Sequence, residues 1–427
     1  MAQLHDDCFA FGGELMSSER ALEILRSRLA PITGTERVRL GAALGRVLAE
    51  DVTAPGDVPP HDNAAVDGFA VFFDDLEPEA DTRLKVSGHI VAGHPLGRAA
   101  RRGAAYRIFT GAPMPRAENG DGPDTVLMQE DCRTEGGDVI VPPGIRRGAN
   151  RRRKGEDIRS GAVVLHRGRR LRPQDIGLAA SVGRTEIEVH EPLRAAVFST
   201  GDEIVEPGRP LPDGCIYDSN RYGLIALLDG MGCRVTDLGI LPDRFEDIRD
   251  AIAAASRDHD LLITSGGVST GDEDHVRAAV EALGSLHFWR LAIKPGRPIA
   301  FGQVRAERGD VAFIGLPGNP VAVMVTFVRF ARPAILRLSG CDEVDPLTFR
   351  VPTAFAYTKK ANRREWIRAR LVRDGAGRLV AHKFPKAGSG ILTSMVEADG
   401  LIEVGEGVSE IEAGDLVDFL PFSEVMT

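Results

Sequence analysis

The chain has 427 residues, of which 43% are hydrophobic and 27% are charged, and its net charge is −9. A chain of this length is too long for one compact core and predicts roughly two to four domains. The negative charge argues against a general nucleic-acid binder, and the lack of an apolar run approaching about 18 residues argues against a membrane-spanning helix.

The cysteines and the N-terminal segment favour a reduced, cytoplasmic protein. The five cysteines form no CxxC pair, so neither a disulfide framework nor a zinc site is expected. The first residues lack a basic region followed by an apolar core, so they do not predict a secretory signal. His89 and His94 have no Cys or carboxylate that completes a metal-binding set, which favours a structural or exposed position for both.

The first part of the chain changes character twice. Residues 18–50 predict two helices, one capped by Ser17 or Ser18 and a second over "RLGAALGRVLAED". Residues 51–145 contain short β-like runs separated by turn residues, which predict a small all-β domain. The strongly basic segment that follows ends in a short predicted helix.

Residues 190–340 alternate regularly between predicted strands and helices. Such units with right-handed crossovers form an open, mostly parallel sheet, and ligands bind beyond the carboxyl ends of its strands. The stretch "FWRLAIKPGRPIAFGQV" predicts a hairpin, and "VAVMVTFVRFARPAILRLSG" predicts one long helix. From about residue 346 the pattern is β again and predicts a small terminal barrel with a hairpin around "DGAG".

The loops at one edge of this predicted sheet combine glycines, cations and acids. Glycine turns let backbone amides approach an anion, and Lys294 and Arg297 add positive charge. Carboxylates beside a phosphate would repel it unless a cation intervenes, so the acids predict a metal–phosphate site. Each feature alone also fits a simpler interpretation: acids that favour a helix start, a rigid turn, or an exposed hairpin charge. The loops read "STGDE", "PDR", "SGGVSTGDED", "KPGRP" and "GLPGNP".

Three further candidates lie outside this region. Asp67 precedes a predicted strand in "DNAAVDGFAV", Thr110 follows a β-run in "FTGAPMP", and Asp157 follows the basic cluster "RRRKGE". The simpler interpretations are an Asp turn, an ordinary turn and a local ion-pair network, respectively.

Eight motifs follow one another along the chain: "PPHDNAAVDGFAV", "RIFTGAPMP", "ANRRRKGEDI", "VFSTGDE", "IYDSN", "ITSGGVSTGDED", "LAIKPGRP" and "GLPGNPVA". In this order they resemble the molybdopterin molybdenumtransferase (MoeA) family, to which the E domain of gephyrin also belongs. The resemblance covers about residues 18–424, and the set is specific although several motifs are weak alone.

The resemblance implies an α/β multidomain protomer with a MogA-like, open and mostly parallel sheet domain. It also implies a homodimer, with the site in a cleft between the α/β domain of one subunit and the β domain of the other. The implied parts are a split helical/mixed domain (1–50 plus 146–188), an inserted β domain (51–145), the molybdopterin-binding α/β domain (189–342) and a C-terminal β-barrel (343–427).

The reaction implied by the resemblance inserts molybdenum from molybdate into adenylylated molybdopterin, releases AMP and yields molybdenum cofactor, with Mg²⁺ as the divalent cation. The implied catalytic residues are Asp67, Thr110, Asp157, Glu203, Asp274 and Lys294. The implied metal ligands are Glu203, Asp243 and Asp274. The implied residues for binding the pterin nucleotide are Ser199, Thr200, Gly201, Ser265, Gly266, Gly267, Ser269, Arg297, Pro317, Gly318, Asn319 and Pro320.

Two positions depart from the family pattern, and two other activities stay open. Arg297 stands where a second Lys is common, and its forked guanidinium would bind an oxyanion in a different geometry. His61 stands where an aromatic residue is common. The alternatives are molybdopterin adenylylation of the MogA type and a gephyrin-like scaffold; the flanking domains favour insertion, and the lack of a long linker disfavours a scaffold. Transient contacts with other cofactor-biosynthesis proteins or apo-molybdoenzymes are also expected, but none with nucleic acid or membrane.

Overall fold

The computed structural model describes residues 15–267 and 275–426. Its first helix, α1, spans Ser18–Arg28 and confirms the first predicted helix, since the Ser17 hydroxyl accepts a hydrogen bond from the Arg20 backbone N–H at 3.2 Å. The apolar stripe of α1 is buried in the core of the α/β domain. None of the described helices is both long and apolar enough to cross a bilayer.

The predicted second helix, over residues 39–51, is wrong. The chain instead forms strand β1 (Thr35–Arg39), a short 3-10 turn at Leu40–Ala42, and strand β2 (Val52–Thr53). Gly45 has a φ of +76°, which a right-handed helix cannot accommodate, and β1 pairs in antiparallel fashion with residues 186–190. A distant strand therefore overrides the local helical pattern.

The region predicted as all-β contains one six-stranded sheet. Apolar side chains on its two faces form separate core clusters, as expected from the two-residue period of strands. The strands of this region are β3 (Asn63–Ala64), β4 (Gly68–Val71), β5 (Thr82–Ile90), β6 (Ala104–Ile108), β7 (Thr125–Met128), β8 (Arg133–Glu135) and β9 (Asp138–Val141). The order of strands in the sheet is β7-β4-β6-β5-β9-β8.

The chain then returns to pair with the segment that precedes this sheet. The returning elements are β10 (Arg151–Arg152), β11 (Val163–Leu165), α2 (Pro173–Ser181) and β12 (Glu186–His190). Three antiparallel pairings join the two segments: β10 with β3, β11 with β2 and β12 with β1. The two segments share one apolar core.

The α/β region forms an open sheet in the order β16-β13-β17-β21-β20-β18, with four parallel strands and an antiparallel pair at one end. This arrangement confirms both the mostly parallel sheet and the hairpin at its edge. The elements are β13 (Arg194–Thr200), β14 (Ile204–Val205), β15 (Ile216–Tyr217), α3 (Asn220–Gly230), β16 (Arg234–Leu241), α4 (Phe245–Ala255), β17 (Leu261–Ser265), α5 (His275–Leu283), β18 (Gly284–Arg290), β19 (Ile293–Lys294), β20 (Pro298–Val304), β21 (Val311–Leu316), α6 (Pro320–Thr326) and α7 (Arg332–Leu338).

The predicted long helix is continuous but not uniform. A π-helical segment, Phe327–Ala331, connects α6 and α7. Pro333 lies just beyond it and has no N–H to donate to the preceding turn, which accounts for the change of hydrogen-bond pattern there.

The C-terminal strands curl into an incompletely closed ring. They order as β19-β24-β26-β28-β22, β25 pairs with the second half of β24, and a bridge between Thr353 and Ala381 links the end of β22 to β25. The elements are β22 (Phe349–Pro352), β23 (Tyr357–Thr358), β24 (Arg364–Arg373), β25 (Leu379–Lys383), α8 (Thr393–Glu397), β26 (Gly400–Val404), β27 (Glu410–Ile411) and β28 (Leu416–Pro421).

A buried carboxylate at the start of α2 makes stability depend on pH. Asp175 accepts hydrogen bonds from the Arg172 backbone N–H at 3.0 Å and from Arg169 at 2.9 Å. Burial would raise the pKa of Asp175, but hydrogen bonds from the guanidinium groups of Arg172 and Arg169 and from the Arg172 backbone N–H outweigh it and lower the pKa to about 2 from the ordinary 3.8. Because the folded-state pKa is depressed, the stabilisation is complete above about pH 4 and is lost as the pH falls toward 2.

We expect Asp175→Asn to lower the free energy of unfolding by about 2 kcal/mol at neutral pH. The difference from wild type should shrink as the pH falls from about 4 to 2. Urea unfolding followed by circular dichroism at a series of pH values measures both. A difference that stays constant down to the acid limit would contradict this role of Asp175.

Candidate active site

The parallel strands end at one level, so their loops meet at one edge of the sheet. Ser199 pairs with Ser265, and Ser265 pairs with Leu316, in neighbouring parallel strands. The "KPGRP" loop reaches the same edge, because β20 runs antiparallel to β21 and Ala300 is opposite Gly315. The sequence prediction that these loops converge is therefore confirmed for the described residues.

Glycines at this edge bring the loops close together. The Gly266 N–H donates to the Leu316 carbonyl at 3.0 Å, and Gly266 and Gly267 have φ values of +84° and +63°. A Cβ on Gly267 would lie 2.7 Å from Cγ2 of Val276, so no larger side chain fits there without displacement. The Asn220 amide donates to the Gly318 carbonyl at 2.7 Å and fixes the neighbouring loop.

A cavity of about 410 Å³ lies between this edge and the C-terminal strands. Seven residues predicted from the sequence line it: Gly266, Gly267, Lys294, Arg297, Pro317, Gly318 and Asn319. The C-terminal region supplies a second wall that the sequence did not predict, and its polar residues are Tyr357, Glu365, Arg368, Lys383, Lys386 and Ser389.

Five cations and one carboxylate line the described part of the cavity. The guanidinium of Arg368 is buried and donates to the Ser394 hydroxyl at 3.0 Å and to the Lys386 carbonyl at 3.1 Å. Burial lowers the pKa of Arg368 from its ordinary value of 12.5. The excess of positive charge suits an oxyanion. No local motif marked Arg368, Lys383 and Lys386; they become neighbours only when β24 and β25 pair.

Lys294 contacts Glu365, the one acid among the described residues that line the cavity. The β19–β24 pairing is parallel and places Lys294 opposite Glu365, with 3.4 Å between Nζ and Oε2. The Tyr357 hydroxyl donates to the same oxygen at 2.7 Å. Burial, followed by this contact with Glu365, raises the pKa of Tyr357 to about 12.

Two predicted metal ligands lie at the same sheet edge. The Thr200 hydroxyl donates to Oδ1 of Asp243 at 2.9 Å, and the Glu203 carboxylate lies over Gly201, where a Cβ would be 2.6 Å from Oε2. The two carboxylates therefore lie beside Thr200 and Gly201, which are consecutive in the chain. Among residues 15–267 and 275–426, no group of three or more His, Cys, Asp or Glu side chains is arranged to hold a metal ion.

Of the remaining predicted residues of this edge, those that the structure describes do not line the cavity. Ser199, Thr200 and Ser265 are buried at strand ends, and Pro320 begins α6. Asp274 and Ser269 lie outside the described residues.

The candidates of the β domain form a separate feature. Thr110 donates to Oδ1 of Asp67 from its backbone N–H at 2.8 Å and from its hydroxyl at 2.7 Å. These bonds hold the pKa of Asp67 below its ordinary value. Neither residue lines the cavity of the same chain.

Asp157 is exposed, and it too lies away from the cavity. Its backbone N–H donates to the Val58 carbonyl at 3.1 Å. Two further acids fix the loop around Asp157: Asp57, which the sequence did not single out, accepts from the Ser160 N–H at 2.9 Å, and Asp62, which precedes the same predicted strand as Asp67, accepts from the Lys154 N–H at 2.8 Å.

A second cavity of about 1300 Å³ lies beside the β domain and is also rich in arginine. Acids neutralise several of these arginines: Arg102 contacts Asp75 at 3.1 Å, and Arg147 contacts Asp124 at 2.9 Å. Its positive charge is thus more fully compensated than that of the smaller cavity.

Three family models match consecutive parts of the chain. They describe the MoeA N-terminal region (domain I and II) at residues 16–183, a probable molybdopterin binding domain at residues 196–337, and the MoeA C-terminal region (domain IV) at residues 350–422. The chain belongs to the MoeA family. The resemblance noted in the sequence is confirmed over nearly the whole length.

Individual MoeA relatives match the chain almost from end to end. The molybdopterin molybdenumtransferase of Haemophilus influenzae is 36% identical over 414 residues, covering 96% of this chain and 100% of the relative. The molybdopterin molybdenumtransferase of Nostoc sp. is 34% identical over 390 residues, covering 89% of this chain and 87% of the relative. The crystal structure of the molybdopterin biosynthesis MoeA protein from Pyrococcus horikoshii covers 96% of this chain and 100% of that one, with a TM-score of 0.80 and 27% identity.

The tight packing at Gly267 predicts a strong difference between two glycines of the cavity. Gly267→Ala combines a positive φ with a steric clash and should lower the free energy of unfolding by about 1–3 kcal/mol. Gly318→Ala is the matched control, because its nearest contact would be the Gly266 Cα at an ordinary 3.8 Å. Thermal melting compares the two variants, and equal losses of stability would contradict the described packing.

Proposed function

We propose that this MoeA-family protein transfers molybdenum from molybdate to adenylylated molybdopterin, with release of AMP and formation of molybdenum cofactor. The observation that carries the proposal is the cation-lined cavity at the glycine-rich sheet edge. Both substrates are anionic, and several relatives over most of the chain are named molybdopterin molybdenumtransferase.

The residues of the cavity can bind and orient such substrates. The backbone at Gly266, Gly267 and Gly318 allows close approach of a phosphate. Lys294 and Arg297 on the α/β side would attract its negative charge, as would Lys383 and Lys386 on the C-terminal side. These cations would also stabilise the charge that develops as the phosphoanhydride bond to AMP breaks. No side-chain nucleophile is required, because water or a molybdate oxygen can attack the phosphorus.

Glu203 and Asp243 fit the proposed Mg²⁺. Both supply hard oxygen ligands, they flank the adjacent residues Thr200 and Gly201, and Mg²⁺ is usually held by one or two carboxylates plus phosphate oxygens. When bound, Mg²⁺ would polarise the phosphoanhydride and neutralise its charge. Asp274 is proposed as a further ligand on the family resemblance alone.

Asp67 and Thr110 are proposed to act across a homodimer. They lie outside the cavity of their own chain, as expected for a site completed by the β domain of a partner subunit. The Thr110 hydroxyl, bonded to Asp67, would then position substrate from the opposite side of the cleft. Asp157, which also lies outside the cavity, belongs to the split domain and is proposed as catalytic on the family resemblance alone. A cytoplasmic location is proposed from the cysteine usage.

We expect purified protein to release AMP from adenylylated molybdopterin only when molybdate and Mg²⁺ are both present. Chromatography of the nucleotide products measures this, and a chelator should abolish the release until Mg²⁺ is restored. Consumption of ATP with free molybdopterin, without molybdate-dependent AMP release, would instead support adenylylation.

Asp243→Asn should lower turnover by about 100-fold and raise the Mg²⁺ concentration needed for half-maximal rate, because it weakens an oxygen ligand. Asp247→Asn is the control, since Asp247 lies in the first turn of α4 and pairs at 2.7 Å with Arg244, the exposed residue just before that helix. Initial rates of AMP release over a Mg²⁺ titration distinguish them. An unchanged Mg²⁺ requirement in Asp243→Asn would remove Asp243 from the metal site.

A further inference from the structure

Glu365 is a buried carboxylate in a cavity wall that otherwise carries positive charge, and the proposed reaction leaves it without a task. Its side chain is only 2% exposed. Burying a carboxylate costs much free energy unless it is paired and hydrogen-bonded. Its contacts therefore indicate what it does.

Both oxygens of Glu365 are engaged, so the carboxylate has one fixed orientation. Oε1 accepts from Nε of Arg363 at 3.1 Å, and Oε2 accepts from the Tyr357 hydroxyl at 2.7 Å. The remaining contact of Oε2 is Lys294 Nζ, at 3.4 Å. Burial would raise the pKa of Glu365, but these neighbours outweigh it and lower the pKa, so the carboxylate stays ionised.

Lys294 is the more exposed of the two charged partners, whereas Glu365 is buried. The Lys294 side chain is 42% exposed, and a lysine has a flexible stem and a single charged point. The backbone pairing of Lys294 with Glu365 sets the two side chains on the same face of the sheet. Glu365 thus links a loop of the α/β domain to a rigid strand of the C-terminal region.

We propose that Glu365 is a positioning residue that holds the Lys294 ammonium toward the cavity, where it meets an oxyanion of the substrate. This inference rests on the proposed function, and it deepens that function by assigning the C-terminal wall a part in placing a charge. Tyr357 contributes to this positioning, because its hydroxyl donates to the same Glu365 oxygen that Lys294 contacts. Its ring also lies 5.2 Å from the Lys383 ammonium, on the same wall.

A double-mutant cycle tests whether Glu365 acts through Lys294. Wild type, Glu365→Gln, Lys294→Met and the double variant are compared by kcat and KM for AMP release with molybdate varied, and by melting temperature. Glu365→Gln should lower kcat/KM about tenfold when Lys294 is present and change it by less than about twofold in the Lys294→Met background. Equal losses in the two backgrounds would overturn the proposal, because a merely structural carboxylate gives additive effects.

Glu403→Gln is the matched control. Glu403 is also a paired carboxylate, 12% exposed and at 3.1 Å from Arg329, and it lies on the neighbouring strand β26 without lining the cavity. Its effect should be the same with and without Lys294. If the melting temperature of Glu365→Gln is too low for kinetic measurements, Tyr357→Phe provides a milder test. It should lower kcat/KM when Lys294 is present and change it little in the Lys294→Met background.

Direct binding separates failure of this inference from failure of the proposed function. Titration calorimetry of molybdate and of inorganic phosphate into the same four proteins requires no turnover. If the wild type binds an anion but releases no AMP, the proposed reaction is rejected. The coupling between Glu365 and Lys294 would then be calculated from the anion affinities of the four proteins. Wild type that binds neither anion and releases no AMP would overturn both.

Discussion

The short parallel pairing of Ile293–Lys294 with the start of β24 is the contact on which the geometry of the site depends. It makes the loop after β18 part of the C-terminal sheet, so one cavity wall is attached to the other by backbone hydrogen bonds. The Val321 N–H, which donates to the Ser389 carbonyl at 3.0 Å, closes a second side. Between them, Phe330 packs edge-on against the buried Trp366, with 6.0 Å between ring centroids. Because Ile293, Val321, Phe330 and Trp366 are buried at these contacts, the cavity is a fixed feature of the fold.

Local charge, and not the net charge of the chain, decides what this cavity can bind. The chain carries a net charge of −9, yet the described lining has five cations and the single carboxylate of Glu365. A concave wall focuses the field of such a cluster, whereas exposed charges beyond about 10 Å are largely screened. In the larger cavity near the β domain, arginines such as Arg147 face acids that compensate them.

The sequence predicted the parts of the fold that local patterns determine. Strand–helix alternation gave the parallel sheet, and parallel strands necessarily bring their loops, with Gly266 and Lys294, to one edge. It failed at residues 39–51, where pairing with a strand some 150 positions away overrides a helical pattern. It also missed Arg368 and Lys383, since nothing local marks two basic residues on adjacent strands as a cavity wall. Asp67 and Thr110 are hydrogen-bonded to each other but do not line the cavity of their own chain, so their part in the reaction stays a prediction. The part of Asp274 stays a prediction as well.

The position of bound molybdate shows whether the smaller cavity is the anion site. Crystals soaked with molybdate and AMP can be measured at the molybdenum absorption edge, where anomalous scattering marks the metal. We expect a peak inside the smaller cavity, within contact distance of Lys294 and its neighbouring cations. Peaks confined to the arginine-rich cavity of the β domain, or to the outer surface, would contradict this expectation.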